Sequence, residues 1–107
     1  MSSFDDRERA HEKKFQLDQE LEFKAQARRA KLVGRWAAGL MGLADQAAED
    51  YAKSVVVADL EEAGEEDLFR KIRGDLDQHA VQLSDHQIRA KMEEALGEAR
   101  ASIAAGN

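Results

Sequence analysis

The sequence predicts an all-α protein, a small four-helix bundle preceded by a mobile N-terminal arm. Three observations carry this expectation. No proline occurs anywhere in the 107 residues, so nothing interrupts a helix from within. Ala, Glu, Leu, Lys, Arg and Gln, the strongest helix formers, dominate the chain. Apolar residues recur at three- and four-residue steps over most of its length, the spacing of one helix face.

The first segment, residues 1–18, is a polyampholyte with few, widely spaced apolar groups: Phe4, Phe15 and Leu17. On a helix Phe4, His11 and Phe15 share one stripe, which is too thin to hold the segment against a core. Opposite charges three and four residues apart favour helix by only a few tenths of a kcal/mol, and a short isolated helix carries a nucleation cost. Residues 1–18 are therefore expected to be an arm that is flexible alone and helical when bound, joined to a bundle over residues 19–107.

Within the bundle, Leu21, Ala25, Leu32, Val33, Trp36, Ala37 and Leu40 define a first helix from Gln19 to Met41, ended by Gly42 in the left-handed conformation. Asp45 offers an N-cap, and Ala48, Tyr51, Ala52, Val55, Val56 and Leu60 form the next apolar face, which stops near Gly64. The Val55-Val56-Val57 run would suit a strand, but it has no second strand to pair with. Glu65, Glu66 and Asp67 place negative charge at the start of a third helix, with Leu68, Phe69, Ile72, Leu76 and Ala80 as its core face. Ser84 and Gln87 have the spacing of a capping box, Leu83 and Ile88 that of a hydrophobic staple, and Ile88, Met92, Ala95, Ala99 and Ile103 follow as the last face.

Composition excludes several function classes. Without cysteine there is no disulfide framework, thiolate metal site or cysteine nucleophile, and a reducing compartment suits the chain. The net charge of -6 argues against nucleic acid as a partner. The surplus is uneven: residues 1–31 carry 8 basic and 7 acidic groups, and all of the negative excess lies beyond them. No run is long enough to insert in a membrane, and the opening alternates charges where a signal peptide needs an apolar core, so a soluble intracellular protein is expected. His11, His79 and His86 make no HxxxH pair, and the acidic stretch around Gly64 lacks the ligand pattern of a calcium loop. Gly34, Gly39 and Gly42 flank Trp36 with no Lys-Ser or Lys-Thr after them, so close helix packing and a C-cap explain them better than a phosphate loop. No catalytic residue, metal or cofactor is expected.

Four stretches, in order, carry a resemblance: Phe4-Asp5-Asp6-Arg7-Glu8-Arg9-Ala10-His11-Glu12-Lys13-Lys14-Phe15, Gly34-Arg35-Trp36-Ala37-Ala38-Gly39-Leu40-Met41-Gly42, Gly64-Glu65-Glu66-Asp67-Leu68-Phe69-Arg70-Lys71 and Ile88-Arg89-Ala90-Lys91-Met92. Together they resemble the zeta subunit of the α-proteobacterial F-type ATP synthase. The resemblance implies a protein inhibitor of ATP hydrolysis, not an enzyme. Its N-terminal arm would insert at a catalytic α/β interface near the γ subunit and block hydrolytic rotation, so that the α, β and γ subunits of the catalytic head are the implied partners. It also implies a monomer when free, found at the cytoplasmic face of the inner membrane through the ATP synthase. The arm residues that match the family motif are Phe4, Asp5, Asp6, Arg7, Glu8, Arg9, His11, Glu12, Lys13, Lys14 and Phe15. Phe4 and Phe15 would be apolar anchors, and Arg7 and Arg9 would pair with carboxylates of the cleft. Competing readings are a bundle that senses ADP or ATP between its helices, and a purely structural subunit.

Overall fold

The computed structural model describes residues 2–61 and 64–106, with side chains from residue 18 onward. Four helices follow one another: α1 Ser2–Leu40, α2 Asp45–Glu61, α3 Glu65–Gln78 and α4 Asp85–Ala104. No strand occurs among the described residues, and the Val55-Val56-Val57 run is helical. Helix α1, at 39 residues, would measure about 58 Å at the ordinary helical rise. It contains both the segment read as the arm and the predicted first body helix.

Helix α1 is the spine of the body. It packs chiefly on α2 and α4, while α3 bridges α2 and α4 and touches α1. Ala25, Ala30, Val33, Ala37 and Ala38 line its buried face. Small residues there let the helices approach closely, and Gly34 marks the tightest point: a Cβ at that position would lie 2.9 Å from Ala52 Cα. Larger side chains fill the far side of the core, where Leu68, Ile72, Leu76, Ile88 and Met92 are fully enclosed. Trp36 and Tyr51 pack against this core from its margin.

The boundaries follow local chemistry. Gly42 adopts φ 80°, with Leu43 N–H donating to Ala38 C=O at 2.9 Å and Gly42 N–H to Gly39 C=O at 3.2 Å. This is the double bond of a Schellman end. Helix α3 ends in the same way, Val81 N–H donating to Leu76 C=O and Ala80 N–H to Asp77 C=O, but with an alanine at φ 58° in the left-handed position. Ala80, expected on the core face of α3, is thus an exposed terminator. The capping box of α4 is complete: Gln87 N–H donates to Ser84 Oγ at 3.1 Å and Ser84 N–H to Gln87 Oε1 at 3.0 Å. Such a cap contributes about 1 kcal/mol. Asp45 departs from expectation, because it is the first residue of α2, at φ 53°, and adds charge to the first turn instead of a cap hydrogen bond.

Two apolar residues also lie elsewhere than predicted: Leu40 and Leu60 are exposed. Each sits near a helix end, where fewer neighbours remain to cover it.

Candidate partner-binding site

The residues predicted to act on a partner all fall on the N-terminal part of α1. The side chains of Phe4, Asp5, Asp6, Arg7, Glu8, Arg9, His11, Glu12, Lys13, Lys14 and Phe15 lie outside the described residues. What the structure does describe is the base from which that segment leaves the body.

Two long-range contacts hold that base to the last helix. Arg100 forks onto Glu22 at 2.5 and 3.1 Å, and Arg28 donates to Ser102 Oγ at 2.6 Å. The Arg100 hydrogen bond holds the Glu22 carboxyl below its usual range. Further along, Arg35 makes a two-point contact with Glu49, and Arg89 one with Glu66 while its guanidinium stacks 4.0 Å over the Phe69 ring. Guanidinium forks of this kind fix orientation as well as charge.

Two polar clusters were not foreseen. Arg29 is almost completely buried on α1, in line with Ala25 and Val33, and reaches Glu65 at 3.8 Å, with its Nε lacking a hydrogen-bond partner. Asp59 of α2 is buried nearby; burial pushes its carboxyl up, against the opposing pull of Arg29, and Asp67 raises it further. The signal lay in the four-residue steps Ala25, Arg29, Val33 and Val55, Asp59, where a charged residue falls on an otherwise apolar stripe. In the second cluster, Tyr51 donates to Asp75 at 2.7 Å and Lys71 joins the same carboxylate at 2.9 Å. Burial, with the hydrogen bond to Asp75, drives the Tyr51 phenol upward.

The residues considered for chemistry are spread over the fold. His79 ends α3, its ring against the Asp75 carbonyl, and His86 is exposed in the first turn of α4. Among the described residues, no group of three or more His, Asp or Glu side chains is placed to hold a metal ion. Gly34 serves close packing and Gly42 ends α1, as expected, but Gly39 faces open space. A cleft of about 600 Å³ around the α3–α4 turn is lined by one guanidinium, Arg73. That group is already committed to Asp77, Asp85 and the Leu83 carbonyl. Among the described residues, no helix is long and apolar enough to cross a membrane.

Fold and site together define a small helical protein whose longest helix extends well past the body that anchors it. Residues 1–102 match the family model of the ATPase inhibitor subunit zeta. The chain belongs to this family. It is also similar to a protein solved by solution NMR, 42% identical, with a TM-score of 0.69 over 81% of this chain and 99% of that chain. No curated protein is matched.

Proposed function

We propose that this protein suppresses ATP hydrolysis by the F-type ATP synthase as a regulatory, non-catalytic subunit. Residues 1–18 are its inhibitory arm. The arm inserts at a catalytic α/β interface near the γ subunit and blocks hydrolytic rotation, with Phe4 and Phe15 as apolar anchors and Arg7 and Arg9 pairing with carboxylates. Asp5, Asp6, Glu8, His11, Glu12, Lys13 and Lys14 set its register on a mixed-charge cleft. The protein acts as a monomer at the cytoplasmic face of the inner membrane, bound to the α, β and γ subunits of the catalytic head.

The observation that carries this reading is the span of the family match, which starts at residue 1 and so takes in the whole arm as well as the body. The division of charge supports it: residues 1–31 are near neutral, as an arm that enters a mixed-charge cleft would be, and the acidic surplus lies in the body. Among the described side chains, the core is built from residues 25 to 99.

The test is ATP hydrolysis by purified catalytic head, with the full chain and with a chain lacking residues 1–15. The truncated chain is expected to keep its helical circular dichroism and thermal midpoint and to lose inhibition. Equal inhibition by the two would refute the arm assignment.

A further inference from the structure

Arg29, Arg35, Arg70, Arg73, Arg89 and Arg100, together with Lys71 and Lys91, are in ion pairs. Lys24, Lys31 and Lys53 are in none. These lysines are not scattered. Lys24 and Lys31 line a groove of about 370 Å³ on the α1–α2 face, floored by Phe23, Ala27 and Val56. Lys53 stands one turn before Val56 on the same side of α2, and Leu60 one turn after it. Phe23 is 60% exposed and Leu60 50%, among the most exposed large apolar side chains described. In a chain of net charge -6, lysines outside any close ion pair thus gather around exposed apolar groups, with Lys31 and Lys53 acting on Glu49 only from a distance.

We propose that this groove is a second docking surface, which takes an acidic segment of a protein partner carrying one or two apolar anchors. Apolar contact at the centre with charge at the rim is the ordinary anatomy of a protein interface. The rim is cationic, so the complementary surface is anionic. Single lysines set beside single apolar side chains suit a protein segment, whose carboxylates and anchors can match them one by one, better than a bilayer. The groove opens at Phe23, just past residue 18, so a partner that holds the arm comes within reach of it. This assignment rests on the inhibitor reading, which puts the acidic segment on the catalytic head.

The experiment measures binding of the full-length chain to purified catalytic head at about 50 and about 200 mM salt, since charge contacts at an exposed rim weaken with screening. Three proteins are compared: the native chain, Phe23→Gln with Leu60→Gln, and Lys24→Glu with Lys31→Glu. Phe23, Lys24 and Leu60 are exposed and Lys31 is half-buried, and thermal midpoints confirm the fold. Each double variant is expected to raise Kd at least tenfold, and the lysine reversal to flatten the salt dependence. If the native chain binds and inhibits while both variants bind equally well, the groove assignment is overturned and the inhibitor reading stands. If the native chain neither binds nor inhibits, the inhibitor reading falls and takes this partner with it. Loss, in the Phe23–Leu60 variant, of native-chain binding to phosphatidylglycerol vesicles or of a native dimer in sedimentation would overturn the proposal in favour of a lipid surface or a second copy.

Discussion

Replacing Gly34 with alanine tests the packing of α1 on α2, because the same exchange elsewhere in the chain should have the opposite sign. The new Cβ would lie 2.9 Å from Ala52 Cα and 3.3 Å from both Cβ and Cγ2 of Val55. Carbon atoms pack best at roughly 3.5–4.0 Å, so the two helices must part by about half an ångström or more. Ala52 is backbone at that point and cannot swing away. Ala30, Val33, Ala37, Ala52 and Val55 are all fully buried along this seam, and separation loosens each of them. Overpacking of this kind costs about 1–3 kcal/mol, against a gain of about 1 kcal/mol in helix propensity. Gly34→Ala should therefore destabilise by up to about 2 kcal/mol. At Gly74 and Gly97, also within helices, an added Cβ meets nothing within 4 Å. There the propensity gain is unopposed, and alanine should stabilise by about 0.5–1 kcal/mol. Urea unfolding followed by circular dichroism, with the three variants side by side, gives the midpoints. A Gly34→Ala midpoint that rises alongside the other two would refute the close approach of α1 and α2.

Two further outcomes concern the α3 terminus and the carboxylates. Ala80→Gly relieves the left-handed alanine that ends α3 and should stabilise by about 0.5–1 kcal/mol, which raises the thermal midpoint by several degrees; a lowered midpoint would contradict the φ of 58°. Glu22, Glu49 and Glu66 are each held below 4.5, first by a hydrogen bond from Arg100, Arg35 and Arg89 respectively. Their contribution to stability is in place above 4.5 and is lost as pH falls through their folded values. Asp59, raised by burial, works the other way: the folded protein holds its proton more tightly, so stability rises as pH falls from the folded value towards 3.8. Carboxyl NMR should show Asp59 titrating above 3.8 and the three glutamates below 4.5; an Asp59 midpoint at or under 3.8 would remove its burial from the account.

Much of this architecture was legible in the sequence because the relevant signals are local. Ser84 with Gln87, and Gly42, depend on backbone groups a few residues away, so spacing alone identifies them. The buried faces of α3 and α4 follow from periodicity, as Leu68, Ile72, Leu76 and Ile88, Met92, Ala95 show. Legibility fails where a side chain's fate depends on distant elements. Arg29 and Asp59 are buried because α1, α2 and the start of α3 converge there; each stripe holds one of the two charges, and only the fold brings them together. Leu60 and Phe23 fit apolar patterns yet face outward, since no further helix covers that side. Ala80 takes a conformation usually left to glycine because Val81 must turn back onto the core. The arm was legible as a composition, and as a candidate site through the resemblance of its motif.

The pairing of Glu22 with Arg100 and of Arg28 with Ser102 joins positions 78 and 74 residues apart. The base of α1 is therefore secured by residues made much later than itself. During synthesis at about 5–20 residues per second, that base waits roughly 4–15 s for its partners. Until α4 has left the ribosome, α1 is fastened only where it meets α2 and α3. A chain that lacks α4 would carry the arm on an incomplete foundation, so the quality of the arm's mounting reports whether α4 is in place.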